Sequence, residues 1–216
     1  MVPILVLLTF AVSIGGYSIY SWLQKRREIE RAVDASTHPV PEGCVWFPGH
    51  TWMLPTADRR GRLGIDAFAG RLLGRVDEIR LPLEGEQVKR GGKLFSVRQG
   101  ERWAEIKSPV AGTVTAINDA VRNLSFNAGT GISSYWLCEI EQADLATALE
   151  GGVRPESLRS WLAGEVQRIM SALTPSKGLQ EGLGAMLPDG GTLVDGLLET
   201  VDDRTWERAT QVLFEK

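Results

Sequence analysis

No side chain between residues 1 and 24 is charged, and Ile4, Leu5, Val6, Leu7, Leu8, Phe10, Val12, Ile14 and Ile19 make that stretch strongly apolar. A helix needs about 20 mainly apolar residues to cross the hydrocarbon layer. The pattern therefore predicts a membrane-spanning helix over 1–24, with Tyr17, Tyr20 and Trp22 at the headgroup level. A cleaved signal peptide is the competing reading, but it needs positive charge before the apolar run and small residues at the cut. Here Lys25, Arg26, Arg27 and Arg31 follow the run, and Ser21-Trp22-Leu23 is a poor cleavage sequence. A buried core helix is a third reading, and the run shows no polar face in its favour. Basic residues on the carboxyl side predict a single-pass protein of the inner membrane with its N-terminus outside and the following chain in the cytoplasm. The lipid bilayer is then the first expected partner.

Residues 25–43 read as a juxtamembrane linker, because His38-Pro39-Val40-Pro41 favours extended chain. From Cys44 onward, short apolar runs alternate with glycine and proline, the pattern of a small sandwich or barrel. Strands are predicted at 62–65, 76–81, 113–118 and 135–141. Asp66 caps a short helix over 67–73 that ends at Gly74. The runs 93–98 and 103–107 are two arms of a hairpin with its tip at Gln99-Gly100-Glu101-Arg102.

Further on the period changes. Leu158, Trp161, Leu162, Val166, Ile169, Met170 and Leu173 recur at steps of three and four after Pro155, which predicts an amphipathic helix of about five turns. Leu193, Val194, Leu197, Leu198 and Val201 form a second stripe, and Trp206, Leu213 and Phe214 a third patch. Two readings of this tail stay open. It folds back to complete the core of the β unit, or part of it docks on another subunit.

Charge follows the same division. Residues 44–141 hold 13 basic and 11 acidic side chains, and residues 142–216 hold 7 and 12. The net charge of -3 gives no nucleic-acid signature. Two cysteines, Cys44 and Cys138, make no disulfide scaffold and read as small buried hydrophobes. Only His38 and His50 are present, which excludes a His-rich metal centre or a multi-histidine relay. His50, in Gly49-His50-Thr51-Trp52, reads as a packing or hydrogen-bonding residue, with no catalytic partner implied. Gly129-Thr130-Gly131 lacks the glycine-lysine pair and the context of a phosphate loop. Asp202-Asp203 reads as a helix start, not a metal site. No catalytic, metal or cofactor constellation emerges.

The order of motifs resembles the H protein of the glycine cleavage system, a relative of lipoyl domains. The matching residues are Gly49-His50-Thr51-Trp52, Leu63-Gly64-Ile65-Asp66-Ala67-Phe68-Ala69, Leu73-Gly74-Arg75-Val76 and Leu81-Pro82-Leu83-Glu84-Gly85. Val88-Lys89-Arg90-Gly91, Ser108-Pro109-Val110-Ala111-Gly112-Thr113-Val114, Asn118 and Tyr135-Trp136-Leu137 continue the set. The resemblance implies a barrel-sandwich hybrid domain, and with the elements read above the chain is α+β in four parts. These are a transmembrane helix (1–24), a linker (25–43), a β-rich barrel-sandwich hybrid domain (44–149) and a C-terminal helical extension (150–216).

The resemblance also implies a lysine at the hairpin tip that carries lipoyl, within Glu-Ser-Val-Lys-Ala and with six residues between it and the Ser-Pro-Val turn. Glu101 occupies that position here, and a carboxylate cannot form the lipoyl amide. The lysines are Lys25, Lys89, Lys93, Lys107, Lys177 and Lys216, none of them in the tip. The expectation is a non-enzymatic adaptor without a cofactor, an accessory subunit of a bacterial membrane complex, respiratory or photosynthetic being the settings considered. Its partners would be integral-membrane or membrane-complex subunits. The candidate contact is Gln99, Gly100, Glu101 and Arg102 with the aromatic Trp103. The alternative is a membrane-tethered carrier linked to glycine cleavage or lipoyl metabolism.

Overall fold

The computed structural model describes residues 16, 17, 19–21, 23, 43–56, 59–122, 124–126, 132–173 and 195–215. Two antiparallel sheets face each other. The larger has six strands in the order β1 (Val45–Phe47), β2 (Thr51–Pro55), β3 (Arg60–Ile65), β9 (Cys138–Glu141), β8 (Gly112–Ile117) and β5 (Gln87–Val88). The smaller runs β4 (Glu78–Arg80), β6 (Lys93–Gln99), β7 (Arg102–Lys107). Helix α1 (Ala67–Leu73) follows β3, and α2 (Leu145–Leu149), α3 (Pro155–Leu173), α4 (Leu197–Thr200) and α5 (Asp203–Phe214) complete the chain.

Local chemistry explains the first turns. Pro48 and Gly49 form the bend between β1 and β2, closed by His50 N–H donating to the Phe47 carbonyl at 3.1 Å. Gly49 has φ 93°, and a turn with proline second and glycine third requires that left-handed third residue. Trp52 pairs in register with Gly64, and its indole N–H donates to the Ile65 carbonyl at 3.0 Å. A Cβ on Gly64 would lie 2.5 Å from the Trp52 ring and 2.7 Å from the Tyr135 carbonyl oxygen. Glycine is there because the indole fills its place. Asp66 caps α1 by accepting from Ala69 N–H at 2.8 Å, and Gly74 ends it at φ 70°.

The tail shares the core of the sandwich. Leu158, Leu162, Val166, Ile169 and Leu173 of α3 and Trp206, Ala209, Leu213 and Phe214 of α5 are buried in one cluster with Phe47, Trp52, Phe95 and Ile106. Val153 also forms a bridge with Trp46, extending the edge at β1. Of the two readings of the tail, folding back is the one observed for α3–α5. Leu193 and Val194 lie outside the described residues, as do Gly129-Thr130-Gly131 and Lys177.

The expected transmembrane helix is not supported. Most of 1–24, including Trp22, lies outside the described residues, and so do Lys25, Arg26, Arg27 and the rest of 25–42. Gly16, Tyr17, Ile19, Tyr20, Ser21 and Leu23 are helical and exposed. Among the described residues no helix is long and apolar enough to cross a membrane.

Gly64→Ala tests the core packing. The added methyl has no room beside the Trp52 indole, so urea unfolding is expected to show a loss of about 1–3 kcal/mol.

Candidate functional site

The hairpin β6–β7 ends in a two-residue loop, because Gln99 pairs with Arg102 across the strands. Gly100 takes φ 61°, and two-residue hairpin loops favour glycine at such a position. Asp77 braces the loop from the side. Its Oδ2 accepts from Gly100 N–H at 2.8 Å, and its Oδ1 accepts from Arg75 Nε at 2.5 Å. The Arg75 guanidinium and the Gly100 N–H hold the Asp77 carboxyl below the usual carboxylate range.

The five residues expected to meet a partner have different environments. Gly100 and Glu101 are exposed. Gln99 is only 5% exposed. Its Nε2 donates to the carbonyls of Leu73 and Arg75, the latter at 3.0 Å. Its Oε1 accepts from the Trp206 indole N–H at 2.6 Å and from Arg102 at 3.4 Å. Arg102 also donates to the Val201 carbonyl at 3.1 Å, and its guanidinium sits 5.2 Å from the centre of the Trp206 ring. Trp103 is partly buried, with Arg80 3.7 Å from its ring centre and Arg98 at 5.9 Å. Glu78 accepts from both arginines, and their charges hold its carboxyl low, Arg80 most. Trp103 is therefore stacked within its own sheet and is not a bare anchor.

The tail closes around the same region. Arg71 of α1 pairs with Asp195 at 2.5 Å, and its carbonyl accepts from Gly196 N–H at 2.8 Å. Glu199 accepts from Arg75 N–H at 2.7 Å. These contacts occupy polar groups at the C-terminal end of α1, where a helix leaves carbonyls unpaired.

Sequence reasoning missed a second polar cluster. His50 is 0% exposed, and its Nδ1 lies 2.7 Å from Asp66 Oδ2 while its Nε2 lies 3.5 Å from Glu165 Oε2. Phe68 stacks on the imidazole at 4.9 Å, and Trp161 lies tilted beside it at 5.2 Å. Arg168 pairs with Glu165 and donates to the Val212 carbonyl at 2.6 Å. Burial pushes the Glu165 carboxyl up, but His50 and Arg168 together outweigh it and hold the group at about 2. The available signal was position: Glu165 stands three residues after Leu162 and four before Ile169, inside the apolar stripe of α3.

Asp202 and the two cysteines fall where expected. Asp202 caps α5, accepting from Thr205 N–H at 3.0 Å. Cys44 and Cys138 are free and buried, and burial pushes the Cys44 thiol up to about 12 and the Cys138 thiol higher than its usual range. Among the described residues no group of three or more His, Cys, Asp or Glu side chains is arranged to hold a metal ion. Lys93 pairs with Glu105 at 2.9 Å at the hairpin base, opposite Lys107.

The family model described as "Glycine cleavage H-protein" matches residues 46–156. The chain belongs to the glycine cleavage H-protein family. Among its relatives, a glycine cleavage system H protein of Acidobacterium capsulatum is 29% identical over 99 residues, covering 46% of this chain and 76% of that one. A Mycobacterium avium H protein is 30% identical over 121 residues, with coverage of 53% and 86%. A Micrococcus luteus H protein is 33% identical over 129 residues, with coverage of 56% and 95%. H-protein membership, with no membrane-crossing helix among the described residues, overturns the expected inner-membrane localisation. The bilayer as partner loses its basis with it.

Three measurements check this geometry. Gln99→Ala leaves the buried Trp206 indole N–H without its acceptor, and a loss of about 1–3 kcal/mol is expected in urea unfolding. Amide exchange across 203–214 is expected to quicken more than exchange in β8. For Glu165, a carboxyl lowered on folding contributes stability that is present above its unfolded value of 4.5 and lost as pH falls through about 2. Acid unfolding of Glu165→Gln is therefore expected to show a shallower loss of stability between those two pH values.

Proposed function

We propose that the chain is a non-catalytic H-like module that carries no lipoyl group and acts through protein contacts. Glu101 carries this reading: it is an exposed residue of the hairpin loop, at the position where the resemblance puts a lipoyl lysine. A carboxylate has no amine to acylate. The tethering of Gln99 and Arg102 to Trp206 and Val201 supports the reading from a second direction. A swinging arm needs a tip that stands clear, and here the flank of the tip is packed against the chain's own tail.

The relatives' name, glycine cleavage system H protein, favours a second reading as a carrier. Lys89, Lys93 and Lys107 are the described lysines, and they sit in another turn or at the hairpin base. A carrier needs its acyl group presented to successive partners, which is a demand on position. The adaptor reading asks only for shape, charge and a protein partner.

Intact mass of the protein from cells with active lipoylation separates the two readings. The bare polypeptide mass is expected. A lipoyl adduct on any lysine would establish the carrier and remove the adaptor.

A further inference from the structure

We propose that Asp66, His50 and Glu165 form a proton-operated clasp that holds the C-terminal helices on the β sandwich. The helices dock tightly with a proton on each imidazole nitrogen and loosen when one proton leaves.

The donor and acceptor count points to this. Asp66 Oδ2 is 2.7 Å from Nδ1 and Glu165 Oε2 is 3.5 Å from Nε2. Both neighbours are carboxylates, so both are acceptors. A neutral imidazole has one N–H and one bare lone pair. It satisfies one carboxylate and turns a lone pair toward the other. Only the imidazolium turns an N–H toward each carboxylate; the Asp66 side is a hydrogen bond, and the Glu165 side, where Nε2 makes no hydrogen bond, is a 3.5 Å charge pair.

The charges give the same answer. The groups facing the imidazole are Asp66 before α1 and Glu165 on α3, with Phe68 and Trp161 beside its ring. Arg168 stands behind Glu165. With His50 charged, the series alternates negative, positive, negative, positive. With His50 neutral, one buried carboxylate is left without a counter-charge, and a buried unpaired charge is costly. Burial by itself lowers the affinity of His50 for its proton, but Asp66 and Glu165 outweigh it and raise its pKa above 6.5.

The sign follows from linkage. A histidine raised on folding contributes stability that is fully present below its unfolded value of 6.5 and lost as pH rises through its folded value. The Glu165 share is present above 4.5. Docking is therefore tightest between about 4.5 and 6.5 and weakens on the alkaline side. Loosening passes from α3 to α5 through the Arg168 contact with the Val212 carbonyl, and from α5 to the hairpin through Trp206 and Gln99. The clasp does not depend on whether the hairpin carries lipoyl, so the mass measurement and this one fail separately.

The test uses the full chain with His38→Gln, which leaves His50 as the sole histidine. Its imidazole resonances are followed against pH by NMR, with amide exchange in α3 and α5 corrected for the intrinsic rate. His50 is expected to titrate above pH 6.5, and protection of both helices is expected to fall in the same window while β8 keeps its protection. Glu165→Gln removes one carboxylate and is expected to lower the His50 proton affinity roughly tenfold, about one pH unit. Titration at or below 6.5 would overturn the clasp, and so would helix protection that does not change across the His50 titration. If Glu165→Gln does not fold, the titration of the unsubstituted cluster decides alone.

Discussion

The side-chain amide of Gln99 joins three elements that lie far apart in sequence. It donates to the end of α1 and accepts from Trp206 on α5, and it is carried by the residue whose backbone makes the last cross-strand pair of the hairpin. A buried amide is stable only when its donors and acceptor are all used. Here they are, so the hairpin tip, the end of α1 and the C-terminal helix are fixed together. The constraint turns a potentially free loop into part of the core boundary. Glu101 and Gly100 remain outside, but the strand ends beneath them are held.

The second tie is the His50 cluster, on the other side of the tail. It joins the β1–β2 turn and the cap of α1 to α3. The features that shape an H-like sandwich are kept: Gly64 under the Trp52 indole, the Asp66 cap and the Gly74 stop. The position that the resemblance gives to a lipoyl lysine holds an acid. On the proposed reading recognition is the scope left to such a scaffold, and function is argued from the site and not from the fold.

Local chemistry was legible in the sequence, and long-range partnership was not. The limits of α1 were readable because Asp66 and Gly74 are cap residues acting within one turn. The hairpin was readable from two apolar arms around a glycine, although Gln99 and Arg102 belong to its strands and not its loop. Strands β1 and β2 were not identified, because Val45-Trp46-Phe47 and Thr51-Trp52-Met53 are buried throughout and show no alternation. The expected strand at 135–141 begins only at Cys138, since Tyr135 closes a tight turn on Ile132 just ahead of it. The bond between Gln99 and Trp206 spans 107 positions, and no local rule reports it. The inner-membrane location expected from the apolar composition of 1–24 is overturned by membership of the H-protein family, and no helix among the described residues is long and apolar enough to cross a membrane.

The account depends on the C-terminal helix being seated on the hairpin in solution. The exchange rate of the Trp206 indole N–H, with its nuclear Overhauser contacts, reports that seating directly. Slow exchange with contacts to the Gln99 side chain is the predicted result. Exchange at the rate of a free indole, with no contact to Gln99, would contradict it.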